Sequence, residues 1–466
     1  MGCRPSTPEV IMVTPPDPPP SDIPVDPPPS KLRSYRPSIA SLQIPQQDDI
    51  ISEYASDRST DEEEQGNKDY LCGTDVSLQW LLQTFADKFN KQFDDEPQWI
   101  TERLNRPRWN EYAASTVIRV TFGWEEQDLP KTVIIKTVTS KDAQDEELAK
   151  YHYLMFRREC NAYDWTQKYP KIAAPRIIHT KRHAKEFSGV VVMEDVAERG
   201  VQQDAVKGLS VKYSISLNPR LSSANYGANH RCVSPDRIVI LRRFVDVTRE
   251  LLHQLAVLHT LSIKQNSWNT LVADLPPSYY SHMASGYNEA MDFFERHDVR
   301  HSWFIATAEY FASEYLNKMS TEAFEEAPPK VLVHGEPYAA NVFMESESKE
   351  SRIAAIIDWT GCHPGCFGED IAKAICWNLS TKDRLECTEP LLEDYHTYLV
   401  ENSSEDSQIT LEAVQKAFNM FLPVAVVTFL QKVMANKNKE DIEPLIERAK
   451  GLIKSVYLLT HRSEEQ

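Results

Sequence analysis

The stretch VLVHGEPYAANVFMESESKESRIAAIIDW, Val331 to Trp359, decides the fold that the sequence predicts. It contains an apolar run, a polar loop, and a second apolar run that ends on Asp358. The loop carries His334, then an acid at Glu336, then an amide at Asn341. This spacing, followed by an acid at the end of a strand, is typical of a site for phosphoryl transfer.

Phosphoryl transfer requires a cation for the nucleotide phosphates, oxygen ligands for Mg²⁺, and a carboxylate near the attacking hydroxyl. Glu336 is the candidate carboxylate, and Asn341 and Asp358 are the candidate metal ligands, because Mg²⁺ prefers oxygen donors. We therefore predict a catalytic loop over residues 331–344 and a metal-binding segment over residues 354–371.

The candidate cation is Lys136, within the run VIIK of a predicted strand. Strand alternation places it on the face shared by Ile134 and Val138, where a buried lysine is costly without a partner. Glu159, in the predicted helix that follows, is the natural partner.

The remaining pattern predicts an α+β protein with a small antiparallel sheet followed by helices. A hairpin is expected because two β-branched runs are separated by a turn region. The predicted elements are strands at 117–122, 132–138 and 189–196, and helices near 76–93, 143–168 and 244–259, with further helices after 370.

Taken in order, these motifs resemble the choline kinase-like and ecdysteroid kinase-like proteins, especially their nematode branch. That group belongs to the aminoglycoside phosphotransferase side of the protein-kinase fold. The resemblance runs from about residue 75 to about residue 460 and rests on VIIK, RRECNAY, VVMEDV, LLHQLAVLHTLS, LVHGEPYAANVF, AAIIDWT and CFGEDIAKAI. It implies a two-lobed protein-kinase-like fold, ATP and Mg²⁺ as cofactors, and a small-molecule hydroxyl as substrate, whether steroid-like, choline-like or another small alcohol.

The resemblance also implies a role for each matched residue. In chain order these are a phosphate-binding Lys136 with its helix partner Glu159, an adenine-binding hinge at Met193, Glu194 and Asp195, a catalytic Glu336 with His334 supporting its loop, a metal-binding pair of Asn341 and Asp358, and a structural acid, Asp370, that accepts from backbone donors at a helix start.

Three departures from the family pattern leave two functions open. Glu336 stands where the family has aspartate, Pro337 follows it, and the loop containing Ala113, Ala114 and Ser115 lacks the usual glycines. One added methylene displaces a carboxylate by roughly 1.5 Å, and a misplacement near 1 Å can cost about 10²-fold in rate. The chain is therefore either a working phosphotransferase or a pseudokinase that acts as a nucleotide-binding or scaffold module.

Composition divides the chain into three parts. Residues 1–72 are predicted to be disordered, since 13 of the 29 prolines precede residue 46 and an acidic run follows Ser59. Residues 73–197 are the predicted N-lobe and residues 198–466 the predicted C-lobe, within which 198–238 is irregular. The net charge of −18 argues against a nucleic-acid partner, which would require a basic face.

The first residues, MGCRPST, fit an N-myristoylation pattern at Gly2, with Cys3 available for a second acyl chain. Acylation would give a peripheral membrane contact; the alternative is a chance match. No secretory signal is recognisable, so a cytoplasmic location with reduced thiols is expected. The apolar run at 418–430 is shorter than a membrane span and predicts a buried helix. Cys362–Cys366, CHPGC, is interpreted as a plain loop.

Overall fold

The computed structural model describes residues 70–93, 96–104, 115–140, 143, 145–209, 235–272, 287–297, 301–326, 329–346, 352–403, 409–435 and 442–461. Residues 69–466 form one compact unit. The predictions for the tail before residue 70, which include Gly2 and Cys3, lie outside the described residues, as does the segment 210–234.

Five antiparallel strands form the N-terminal sheet in the order β1–β2–β3–β5–β4. β2 and β3 are the predicted hairpin, and Val117 stands opposite Lys136 across it. Alternate residues of β2 are buried, as expected for a strand with one face on a core. The strands are β1 (Trp99–Arg103), β2 (Thr116–Phe122), β3 (Thr132–Val138), β4 (Ile177–His183) and β5 (Ser188–Glu194).

A helix covers each face of this sheet. Helix α1 (Leu78–Phe89) begins at Ser77, whose Oγ accepts a hydrogen bond from Trp80 N, and it shares a buried apolar cluster with Ile135. Helix α2 (Glu146–Thr166) is capped by Asp145 and contributes to the cluster that contains Val138. Ile135 and Val138 lie on opposite faces of β3. Lys136 shares the face of Val138, so it points toward the side of α2.

The sequence did not predict β1 and β4, which are the two outer strands of the sheet. β1 has no fully buried residue and β4 has one, Ile178. An outer strand buries less side-chain surface, so its sequence carries a weak apolar alternation. The glycine-free loop therefore joins β1 to β2, rather than preceding the first strand.

Helices dominate after β5, which confirms the predicted α+β class. Two small antiparallel sheets, β6–β8–β9 and β7–β10, surround the predicted catalytic loop, and the CHPGC segment supplies β10 rather than a loop. The short strands are β6 (Gly200–Gln202), β7 (Val331–Val333), β8 (Val342–Glu345), β9 (Ile353–Ile356) and β10 (His363–Gly365). The helices are α3 (Pro235–Lys264), α4 (Tyr287–Glu295), α5 (His301–Thr307), α6 (Ser313–Glu326), α7 (Phe367–Asn378), α8 (Thr381–Asn402), α9 (Leu411–Ala435) and α10 (Ile442–His461).

Helix α7 is the centre of the helical part, because every one of its residues is buried. A Cβ at Gly368 would lie 2.6 Å from Ala417 O, so α7 and α9 approach backbone to backbone at this glycine. Among the described residues, one helix, Leu411–Met434, is long and apolar enough to cross a membrane, and 72% of its most apolar window is buried inside the protein. The stretch is longer than the sequence indicated, but its burial is that of a core helix.

The folded unit begins earlier than residue 73. Leu71 and Cys72, assigned to the tail by the sequence, form a short turn through Leu71–Gly73. Leu71 is fully buried, and its N–H donates to Val76 O at 2.8 Å. A single apolar residue beside a polar tail gives no periodic pattern from which its burial could be predicted.

Candidate active site

Three charged side chains from distant parts of the chain meet beside β3. Lys136 Nζ lies 2.7 Å from Glu159 Oε2 and 3.0 Å from Asp358 Oδ1. Lys136 and Glu159 are buried, whereas 38% of the Asp358 side chain remains open to solvent. The predicted pair between strand and helix forms, and Asp358 adds a second carboxylate to it.

The charges in this cluster stabilise one another. Burial alone would lower the pKa of Lys136, but the carboxylates of Asp358 and Glu159 raise it above its ordinary value. Burial would raise the pKa of Asp358, but the Lys136 ammonium and a hydrogen bond from Thr360 hold it well below its usual range. At Glu159 burial outweighs the attraction of Lys136, so its pKa is raised. Lys136 and Asp358 are therefore both ionised at neutral pH.

The backbone at Asp358 adopts a conformation that few side chains tolerate. Its φ is +63°, in the left-handed region, which asparagine and aspartate enter more readily than other residues with a Cβ. Asp358 follows the end of β9, and Thr360 Oγ1 donates to its Oδ1 at 2.7 Å. The turn therefore fixes the direction of the carboxylate.

Asn341 and Asp358 stand at the same end of one hairpin. Asn341 precedes β8, and the N–H of Ile357, just after β9, donates to Asn341 O at 2.8 Å. The Asn341 side chain is oriented by a hydrogen bond from Nδ2 to Glu336 O at 3.1 Å. The structure thus brings the two predicted metal ligands to adjacent positions.

The oxygens of this pair suit a hard divalent cation. Among the described residues, no donor contacts Asp358 Oδ2 or Asn341 Oδ1, while the other polar atoms of both side chains are engaged. One carboxylate oxygen and one amide oxygen leave most positions of an octahedral Mg²⁺ for water and phosphate, which is the usual arrangement. In the described part of the chain, no three His, Cys, Asp or Glu side chains converge as a metal site.

Asp370 accepts hydrogen bonds from the backbone of the predicted catalytic loop. The N–H groups of His334 and Gly335 donate to its two carboxylate oxygens at 2.7 and 2.8 Å, and His259 Nε2 lies 3.1 Å from Oδ2. Burial would raise the pKa of Asp370, but these hydrogen bonds lower it. Its donors belong to the catalytic loop rather than to the start of its own helix, which corrects the predicted reason for its presence.

Gly335 permits the tight path of the loop. Its φ is +85°, and a Cβ there would lie 2.3 Å from Gly361 O. Any side chain would therefore be strained by the backbone conformation and would clash with the turn that follows Asp358.

His334 is buried beneath the loop, in edge-to-face contact with Trp359. Burial lowers the pKa of its imidazole, so the ring is neutral at pH 7. Its Nδ1 accepts a hydrogen bond from Glu336 N at 3.2 Å. This geometry favours the loop-supporting role over a role in proton transfer.

Glu336 points toward a lysine that the sequence analysis did not single out. Lys432 Nζ, on α9, lies 2.9 Å from Glu336 Oε2 and about 5 Å from the ring centroids of Tyr338 and Trp377. The side chains of Glu336 and Lys432 are 35% and 22% exposed, so the pair borders solvent. The predicted catalytic carboxylate is therefore bound to a cation on a neighbouring helix.

Helix α7 adds a buried network that the sequence analysis also missed. Lys373 Nζ donates to Gly335 O at 2.8 Å and to Glu369 Oε1 at 2.6 Å. Asn378 Oδ1 accepts from Ala339 N, and its Nδ2 donates to Pro337 O. Charged and amide residues in an otherwise apolar helix were the signal available in the sequence.

The predicted hinge spans the last two residues of β5 and the residue after it. Met193 is buried in the strand opposite Ile134. Glu194 pairs with Arg199 at 2.6 Å, and Asp195 pairs with Arg119 at 2.6 Å. Both carboxylates are therefore engaged in ion pairs. Ala113 and Ala114 lie outside the described residues.

One protein-family model matches part of the chain. The family model DUF1679, "Uncharacterized oxidoreductase dhs-27", matches residues 305–457, about a third of the chain. No curated protein sequence matches the chain. The architecture is defined by three features. These are the five-stranded antiparallel sheet, the lysine–glutamate pair that joins a strand to a helix, and the helical part that carries Glu336, Asn341 and Asp358.

The fold is α+β, with a five-stranded antiparallel sheet followed by a helical part.

Solved structures similar to this chain include three small-molecule kinases. Choline kinase from Cryptosporidium parvum Iowa II is 10% identical, with 83% of this chain and 95% of that chain covered and a TM-score of 0.47. Ethanolamine kinase from Plasmodium vivax is 11% identical, with 89% and 97% covered and a TM-score of 0.41. A GDP and kanamycin complex of an aminoglycoside phosphotransferase is 12% identical, with 81% and 97% covered and a TM-score of 0.39.

Proposed function

We propose that the chain is an ATP- and Mg²⁺-dependent phosphotransferase that acts on a hydroxyl of a small molecule. The observation that carries the proposal is the contact of Lys136 with both Glu159 and Asp358, since residues 222 positions apart in sequence form one charged cluster. A lysine held between two acids on a strand, beside a hairpin with two free oxygen ligands, is what binding of a metal–nucleotide complex requires.

Each residue has a separate task in this proposal. Lys136 binds nucleotide phosphate oxygens, and Glu159 holds its ammonium in place. Asn341 and Asp358 hold Mg²⁺, which would neutralise charge on the phosphates. Glu336 accepts the proton of the acceptor hydroxyl. General-base catalysis of this kind increases the reaction rate by about 10²–10⁴-fold.

The pairing of Glu336 with Lys432 also supports the second candidate, a pseudokinase. The Lys432 ammonium contacts Oε2 of Glu336, an oxygen that would otherwise be open to an acceptor hydroxyl, while nucleotide binding through Lys136 and Asp358 is unaffected. The two functions therefore differ in turnover rather than in nucleotide binding.

The same ion pair bears on the class of acceptor. The Lys432 ammonium lies against Glu336 and over two aromatic rings, an environment in which a cationic group of a substrate would otherwise be stabilised. An acceptor with its own positive charge, such as choline, ethanolamine or kanamycin, would have to displace it. We therefore propose that the acceptor is a neutral or anionic alcohol.

Two measurements on the full chain test the proposal: the shift of the thermal unfolding midpoint by Mg·ATP, and ADP production with a panel of alcohols. A phosphotransferase shows both a shift and turnover, and turnover falls in Glu336→Ala. A shift with turnover equal to that of Glu336→Ala identifies a pseudokinase. Absence of any shift contradicts both.

Glu336→Asp is expected to lower turnover by about 10²-fold, because the carboxylate withdraws from Lys432 by roughly one methylene and a 1 Å misplacement costs that much. The measurement is kcat at saturating ATP and acceptor, with thermal unfolding as the control for folding. A gain in kcat would show instead that the longer acid is a damaged base.

Lys432→Met is expected to improve the KM for choline by about tenfold, since it vacates the space over Tyr338 and Trp377 for a cation of the substrate. Lys416→Met, an exposed position on the same helix, is the matched control and should leave the KM unchanged. A wild-type protein that already prefers choline to neutral and anionic alcohols would contradict the proposed acceptor class.

The oxidoreductase wording of the family description does not transfer to this site. All pairings between the described strands are antiparallel, whereas the dinucleotide-binding fold of dehydrogenases is built on parallel strands. The glycines within residues 305–457 do not form the GxGxxG pattern.

A further inference from the structure

A cavity of about 650 Å³ opens between the first turn of α8, helix α10 and the segment after β6. None of the proposed nucleotide, metal or base residues lines it. It is therefore distinct from the candidate active site, and its contents do not depend on the proposed function.

The lining of this cavity is basic in a strongly acidic chain. It contains five cationic side chains, at Lys207, Lys382, Arg448, Lys450 and Lys454, and one acidic side chain, Glu447. The whole chain carries a net charge of −18. A local excess of positive charge on such a background marks a place where anions concentrate.

Part of this charge has no internal counter-ion. Lys207 pairs with Asp204 at 3.0 Å, and Lys450 pairs with Glu447 at 2.7 Å. No carboxylate of the described residues pairs with Lys382 or Lys454, and Lys454 instead lies 5.8 Å from the ring centroid of Trp303. The cavity therefore keeps free positive charge at its exposed rim.

Arg448 brings positive charge into the wall of the cavity at a high desolvation cost. It is 5% exposed, and its two terminal nitrogens donate to Trp377 O and Val206 O. Its Nε has no partner, and no described carboxylate pairs with it. Burial lowers the pKa of this guanidinium. The guanidinium also lies 5.7 Å from the ring centroid of Phe429. A buried guanidinium that contacts only carbonyls and a ring is stabilised by an anion nearby.

The first turn of α8 contributes a fixed dipole to the same cavity. Ser380 caps this 22-residue helix, and Ser380, Thr381 and Lys382 all line the cavity. The amino-terminal end of a helix carries partial positive charge and favours anions. A Cβ at Gly451 would overlap Thr381, so α8 and α10 are in close contact at this wall of the cavity.

We propose that this cavity binds a small organic anion with a phosphate or sulfate group. The buried Arg448, the free lysines and the helix end receive the anionic group, and Trp303 offers an apolar surface to the rest of the molecule. The volume exceeds what an inorganic anion fills, which favours an organic ligand.

The test is isothermal titration of the full chain with phenyl phosphate, phenyl sulfate, inorganic phosphate and choline chloride at constant ionic strength. We expect saturable binding of both phenyl anions, weaker binding of inorganic phosphate, and none of choline. The double variant Lys382→Ala/Lys454→Ala should lose affinity by about tenfold or more, since charge-assisted contacts are the strong ones.

Both substituted lysines are exposed, so the double variant should fold, and thermal unfolding verifies this. Lys185→Ala, an exposed lysine in the turn between β4 and β5, is the matched control and should bind as the wild type does. Charge reversal in Lys382→Glu/Lys454→Glu should abolish binding. The proposal is overturned if the wild type binds neither phenyl anion, or if the double variants bind them within twofold of wild type.

Discussion

Asp358→Asn is expected to reduce phosphoryl transfer by about 10³-fold or more, because it removes a charge that acts directly on the metal and phosphates. Asparagine retains an oxygen for Lys136 and Thr360, and it tolerates the left-handed backbone of this position. We therefore expect the variant to fold, with an unfolding midpoint lowered by the lost attraction between Asp358 and Lys136. Turnover and the Mg·ATP-dependent shift of that midpoint are the measurements.

Glu186→Gln, an exposed acid in the turn between β4 and β5, is the matched control for loss of one negative charge. It should retain full turnover and the full Mg·ATP shift. Turnover of Asp358→Asn within tenfold of wild type would show that this carboxylate does not bind the metal, and the proposed site would have to be abandoned.

Glu369→Gln is expected to destabilise the fold by about 3–5 kcal/mol, the usual cost of breaking a buried ion pair by removal of one partner. Lys373 would keep its charge, at 1% exposure, without its carboxylate. The same lysine holds Gly335 O, so we also expect the catalytic loop to loosen and turnover to fall. Urea unfolding of the full chain measures the loss of stability, and Glu386→Gln on the exposed side of α8 should change it by less than about 0.5 kcal/mol.

The pH dependence of the free energy of unfolding distinguishes loss of the Glu369–Lys373 ion pair from loss of packing. Burial would raise the pKa of Glu369, but the charges of Lys373 and His363 hold it well below the ordinary value of 4.5. A lowered folded-state pKa stabilises the protein above the unfolded value and loses that contribution as the pH falls. The difference between wild type and Glu369→Gln should therefore shrink below pH 4.5. A difference that is constant with pH would assign the effect to packing.

The site residues that the sequence predicted are those whose spacing is set by short, local structure. Asn341 and Asp358 bracket one hairpin, and Lys136 stands in a β-branched strand whose alternation fixes its face. Their positions could be inferred because the periodicity of a strand and the length of a loop are readable from the residues alone.

Lys432 could not be predicted in the same way. It lies 96 positions after Glu336, on an apolar helix whose rotation relative to the catalytic loop is set by packing against α7. The close approach at Gly368 fixes that rotation, and nothing in the local pattern reports it. The outer strands β1 and β4 were missed for a related reason, since their order depends on pairing with β2 and β5 rather than on their own burial.

The backbone conformation at Asp358 has a consequence for how this protein can change over generations. Asparagine is the other residue with a side chain that the left-handed region favours, and its codons differ from those of aspartate by one base in the first position. One transition therefore converts the proposed metal ligand into a neutral amide that still accommodates the backbone conformation of this position. The proposed activity can be lost in a single mutational step that leaves the path of the chain intact, and the same step is reversible.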